Sequence, residues 1–110
     1  MKYICAEDFF RQAASAKRLS REEEKEYALR MKAGDREAGQ LLTDSYLPVL
    51  AAYLKQHVRQ PSLQLVYLGL QTLESAVSTF DFQSECPTFS HELAGRVKRA
   101  VARYIADSTL

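Results

Sequence analysis

The sequence predicts an all-α fold, a compact bundle of about five helices in one domain spanning residues 1–110, and three observations carry that expectation. Strand signals are poor: β-branched residues are scattered, and no two alternating runs are joined by a tight Asn-Gly or Asp-Gly turn. Apolar residues instead recur at helical spacing along nearly the whole chain, with Ser, Asp, Gly and Pro placed where helices start and stop. The third observation is size, since 110 residues, 46% hydrophobic and 26% charged, suit a single core.

The first helix is expected over Ala6 to Lys17, with Phe9, Phe10, Ala13 and Ala14 on one face, ending before Leu19. Ser20-Arg21-Glu22-Glu23 then reads as a capping box, in which the Ser20 oxygen accepts from the Glu23 amide and the Glu23 carboxylate reaches back to the Ser20 N–H. The second helix runs to about Ala33, partly burying Tyr27, Leu29 or Met31, and Gly34 supplies the left-handed residue that closes it. Asp35 caps a third helix from Arg36 to about His57, with Ala38, Leu41, Leu42, Leu47, Leu50, Ala51 and Leu54 as its apolar stripe. Pro48 falls inside that helix, removing a backbone bond and clashing with the preceding turn, so a kink or break is expected near Tyr46.

Pro61 marks the end of that segment, and Ser62 caps a fourth helix through roughly Thr79. This helix is apolar on all sides, through Leu63, Leu65, Val66, Tyr67, Leu68, Leu70, Leu73, Ala76 and Val77. It is expected to be central or to meet a partner. Residues 80–88, with Asp81, Ser84 and Pro87, read as a loop, and Ser90 is expected to cap the last helix, which runs to about Asp107.

Composition excludes several classes of function. Lys+Arg 15 against Asp+Glu 14 leaves a net charge of +1, so nucleic-acid contact requires local clustering of cations. Cys5 and Cys86 lie far apart without a C-x-x-C pair, which argues against a zinc site or a disulfide scaffold and for the reducing cytoplasm. Glu7 and Asp8 precede any apolar run of signal-peptide length, and no stretch approaches ~20 apolar residues, so neither export nor a membrane partner is expected. No Gly-rich phosphate loop, His and acid metal cluster or Ser, His and acid set is present, and His57 and His91 lack companions. The chain therefore reads as a non-enzyme with no cofactor or metal. Glu22, Glu23, Glu24 and Glu26 complement the dipole of the helix they open and read as a solvated face.

The last helix carries the clearest candidate chemistry. Leu93, Val97, Ala100, Val101 and Tyr104 form its inward edge, while Arg96, Arg99 and Arg103 recur at i, i+3 and i+7 and point the same way. Arginines so spaced can neutralise adjacent phosphates, with affinity falling as salt rises. Lys98 lies off that stripe but extends the charge. The alternative is an amphipathic surface helix whose arginines serve solubility or pair with a neighbour's Glu, and periodicity alone leaves both open.

Taken in order, LSREEEKEYALRMKAGDREAGQLL, SYLPVLAAYLKQH, SAVSTFD and FSHELAGRVKRAVARYIAD resemble the sigma-70 family of bacterial transcription initiation factors, over Leu19 to Asp107. Leu19, Ser20, Glu23, Glu24, Gly34, Asp35 and Ala38 match the family's Leu-[Ser/Thr]-x-x-Glu-Glu opening and its Gly-Asp-x-x-Ala turn. Phe80-Asp81 and Phe89-Ser90 match the loop before its promoter-handling helix. The resemblance implies a region 2-like domain preceded by an N-terminal helix over residues 1–19. It has no counterpart of the later helix-turn-helix region, hence a fragment or a reduced relative.

The resemblance also implies sites. The family's fourth helix binds the clamp helices of the largest RNA polymerase subunit, and the aligned stretch here makes Gln64, Tyr67, Leu68, Leu70, Gln71 and Glu74 the polymerase- or partner-binding residues. Leu65, Val66, Gly69 and Leu73 keep the packing positions, while the family's polar contacts are replaced. In the final helix, Glu92 stands where the family has a strand-stacking aromatic, and Gly95 and Arg96 stand where it has a tryptophan pair; this chain has Trp 0. Arg96, Lys98, Arg99 and Arg103 remain as candidate DNA-binding residues near the −10 promoter element, with strand melting impaired. Two functions follow: a sigma-like domain binding polymerase core and promoter DNA, or a degenerate sigma-like module that binds another protein or a self-copy.

Overall fold

Six α-helices and no strand occupy the described residues, 3–84 and 88–108, of the computed structural model. They are α1 (Ala6–Ala14), α2 (Arg21–Lys32), α3 (Arg36–Asp44), α4 (Leu47–His57), α5 (Leu63–Thr79) and α6 (Phe89–Ser108). The sixth arises because the expected third helix is broken in two. Tyr46 leaves the helical path at φ −99° and ψ 1°, its N–H turning back to the Thr43 carbonyl at 3.0 Å, and Pro48 then sits in the first turn of α4. There its missing N–H costs nothing, because first-turn amides have no partner within their own helix.

The helix starts follow their sequence signals. Ser20 Oγ accepts from the Glu23 N–H at 3.1 Å and the Ser20 N–H donates to Glu23 Oε1 at 3.0 Å, closing the capping box of α2. Asp35 caps α3 by accepting from the Ala38 N–H, and Ser62 caps α5 by accepting from the Leu65 N–H. Gly34 takes a φ of +104° between α2 and α3, a left-handed value that a Cβ would penalise.

Three details depart from the expectation. α1 stops at Ala14, short of Lys17, because its last turn tightens: the Ser15 and Ala16 amides bond three residues back, and Ser15 Oγ donates to the Gln12 carbonyl. The α6 cap is Thr88 rather than Ser90, since the His91 N–H donates to Thr88 Oγ1 and helical backbone already begins at Phe89. Leu41, expected on the apolar stripe of the third helix, is exposed; of the three α2 side chains expected to be partly buried, Tyr27 and Met31 are and Leu29 is not, while Ala28 is the residue that α2 buries fully.

The all-round apolar character of α5 has a structural cause: it is the central helix. It packs most extensively on α6 and also contacts α3, α4 and α1. Leu65, Val66, Leu73, Ala76 and Val77 are buried on it, facing Leu42 of α3, Leu50 and Leu54 of α4, and Leu93 and Val97 of α6 within one core. Each such aliphatic side chain contributes about 1.5–3 kcal/mol on burial. Gly69 sets the approach of α4, since a Cβ there would lie 3.0 Å from Leu50 Cδ1. The 80–84 loop adds an aromatic cluster: Phe89 lies 4.6 Å from Tyr46, 5.1 Å from Phe80 and 5.0 Å from Phe82, centroid to centroid. No helix among the described residues is long and apolar enough to cross a membrane.

Candidate functional site

Helix α6 presents its cations in two groups. Leu93, Val97 and Val101 turn inward, with Ala100 and Tyr104 half-buried beside them, as the apolar spacing requires. Arg99 and Arg103 stand on the exposed side. Arg96 shares their sector but is held back: its Nε donates to Glu92 Oε1 at 2.9 Å and its Nη1 to Thr79 Oγ1 at 2.9 Å. Its charge is thus matched by Glu92, and Glu92, Arg96 and Thr79 form one network on this side of α6. At 100° per residue Lys98 faces away from the arginines, on the side of His91. Lys98, Arg99 and Arg103 form no ion pair with any described acidic group.

A second cationic feature lies at the N-terminal end of α6. A pocket of about 320 Å³ is walled by Arg18, Arg21 and Glu24 on one side and by Phe80, Thr88 and Ser90 on the other, over Tyr46, Phe82 and Phe89. The Arg18 guanidinium sits 5.5 Å from the centre of the Tyr46 ring, a cation–π arrangement. The Tyr46 hydroxyl donates to Glu24 Oε2 at 2.7 Å. Burial, then the Glu24 hydrogen bond and charge, push the Tyr46 hydroxyl well above its ordinary pKa, so it stays a donor. The loop wall is pinned to α2 by Arg21, which donates to the Ser84 carbonyl at 3.4 Å, and by Gln83, which donates to the Lys25 carbonyl at 3.1 Å.

Sequence reasoning missed this pocket. Its signal was present in Arg18 and Arg21, which flank the capping box, and in Phe80, Phe82 and Phe89 around the loop. What joins them is a long-range contact between α2 and the 80–84 loop that no local period reveals.

The candidate partner residues on α5 fall into three strips. Gln64, Gln71 and Glu74 are exposed. Tyr67 and Leu70 flank them on the α3 side, and Leu68 flanks them on the α6 side, all three half-buried against the core. Gln64 Oε1 accepts from the Tyr104 hydroxyl at 2.6 Å. Tyr67, Leu70, Gln71 and Glu74 share a groove of about 320 Å³ with Tyr3, Gln40, Thr43, Asp44 and Leu47. Leu68 and Leu70 are therefore neither fully buried nor openly exposed. The face is mixed, with a polar crest and apolar shoulders.

Among the described residues no group of His, Cys, Asp and Glu is placed to hold a metal ion. His57 and His91 are exposed, as is the free Cys5, and Cys86 lies outside the described residues. No family model matches this chain, and no solved structure matches it significantly.

Proposed function

We propose that the domain acts as a sigma-70 region 2-like module in bacterial transcription initiation, docking on RNA polymerase core through α5 and holding promoter DNA through phosphate contacts. The observation that carries the reading is the outward pair Arg99 and Arg103 on α6, which meets no described acidic group. Two such guanidiniums one helical turn apart suit neighbouring phosphates. The Arg18 and Arg21 pocket lies roughly 16 Å along the helix from Arg99, at 1.5 Å per residue, and adds a second cationic contact beside aromatic rings. Base stacking on α6 itself has no support, because Glu92 and Arg96 bind each other where stacking rings would be needed. The reading is therefore of a DNA-holding rather than a strand-melting domain.

The test is fluorescence anisotropy with single- and double-stranded promoter-like DNA across a salt series. Affinity falling with salt, and a shallower slope in Arg99→Ala/Arg103→Ala, supports the reading; salt-independent or absent binding rejects it. A pull-down of polymerase core with the wild type, Tyr67→Ala and Leu68→Gln tests the α5 contact. The second reading, a protein-binding module without a DNA role, is favoured by the apolar shoulders of α5. It predicts no DNA affinity with retained protein capture.

A further inference from the structure

Between α4 and α6, on the flank of α6 away from Arg99 and Arg103, runs an open groove of about 480 Å³. Its apolar lining comes from Tyr53 of α4 and from Ala94, Gly95, Val101, Ala102 and Ile105 of α6, so small side chains let another backbone approach closely. Its basic lining is His57, His91 and Lys98. Among the described residues no acid faces it from either wall. α4 contains no Asp or Glu, Glu92 is drawn to the other side of α6 by Arg96, and Asp107 lies beyond the last lining residue. Ile105 is left 51% exposed at one end. An apolar trench with a cationic rim suits an acidic amphipathic helix.

The chain itself carries an acidic stripe with one aliphatic side chain, on α2, although Arg21, Lys25, Arg30 and Lys32 balance the four glutamates over the helix as a whole. On α2, Glu22, Glu26 and Leu29 follow at i, i+4 and i+7, and all three are exposed. Leu29 is 56% exposed, although α2 otherwise keeps its large apolar side chains partly covered. Glu23 and Glu24 are engaged, by the Ser20 cap and by the Tyr46 hydroxyl, whereas Glu22 and Glu26 form no ion pair with a described residue. The two surfaces complement each other in charge, and each leaves one large aliphatic side chain in water.

We infer that a second copy of this chain docks the Glu22, Glu26 and Leu29 face of its α2 into the α4–α6 groove, with Lys98 and the two histidines meeting the glutamates and Ile105 meeting Leu29. The contact is independent of what α5 or the arginine pair binds.

Sedimentation equilibrium of the full chain at pH 7, from micromolar to near-millimolar concentration and at low and high salt, reads the association directly. Concentration-dependent association that weakens with salt is expected. Lys98→Glu and the double variant Glu22→Lys/Glu26→Lys should each associate at least roughly tenfold more weakly, since each sets like charges against one another. All of these residues are exposed, so circular dichroism should stay that of the wild type. Mixing the two variants brings together two matched contacts, the reversed groove against the reversed helix and the unaltered helix of one variant against the unaltered groove of the other, and should return a heterodimer. A wild type that stays monomeric throughout, an association indifferent to both reversals, or a mixture that fails to recover overturns the inference.

Discussion

Tyr67 of α5 and Tyr3, three residues before α1, lock together: the Tyr3 N–H donates to the Tyr67 hydroxyl at 3.1 Å, and their rings lie 6.2 Å apart. Tyr3 is buried, with its ring edge-on to Phe9 at 5.3 Å, and it lines the same groove as Tyr67, Leu70, Gln71 and Glu74. The N-terminal segment is thus part of the candidate partner face. Tyr3→Ala is expected to destabilise the fold by about 3 kcal/mol in urea denaturation, the low end for core aromatics. The same variant should alter polymerase-core retention, whereas Ala52→Ser, on the exposed side of α4, should not.

Two glycines should respond to alanine in opposite directions. Gly34 sits at φ +104°, where a Cβ is strained whatever space surrounds it, so Gly34→Ala should cost about 1 kcal/mol. Gly95 lies within α6 at ordinary helical φ, and an added Cβ would meet only Arg99 Nη1 at 3.6 Å, an ordinary contact. Gly95→Ala should stabilise by up to about 1 kcal/mol, the helix-propensity difference. Thermal unfolding of the two variants side by side checks the pair of signs.

Three carboxylates set the acid limit. Asp8 is held below its ordinary value by hydrogen bonds from Gln12, the Ile4 N–H and Arg11, Glu23 by the Ser20 N–H and hydroxyl, and Asp35 by the Ala38 N–H and Arg30. A depressed folded pKa means stability fully present above the unfolded value and lost as pH falls through the folded one. Stability should therefore be flat through neutral pH and decline below about pH 4. In Glu23→Gln that decline should be shallower, which denaturant titrations at successive pH values will reveal.

Much of this was legible locally. The Ser20 box, the Asp35 and Ser62 caps, Gly34 and the break before Pro48 are decided by residues within a few positions of one another, and they stand where their side-chain chemistry puts them. What was not legible depends on contacts distant in sequence. Leu41 fits the inward stripe by period, yet it stands exposed on α3. Tyr46 reads as a broken helix end, yet it is also a buried hydroxyl that finds Glu24 twenty-two residues earlier and supports a cationic pocket. Arg96, Arg99 and Arg103 share one side of α6 by helical spacing, but the first of them is already paired with Glu92, which the spacing alone does not reveal.

That neutralisation yields the sharpest test of the α6 surface. The Glu92–Arg96 pair is an i,i+4 contact with both side chains about a third exposed, so its own contribution to stability is small, under about 0.5 kcal/mol. Glu92→Gln removes a carboxylate that repels phosphate and frees the Arg96 guanidinium to join Arg99 and Arg103. DNA affinity should rise, and the dependence of log affinity on log salt should steepen by roughly 0.7–0.9, one additional phosphate contact. The unfolding midpoint should barely move. If affinity and slope both stay at the wild-type values while Arg99→Ala/Arg103→Ala still weakens binding, Arg96 points away from the bound strand and the DNA path runs along the outer two arginines alone.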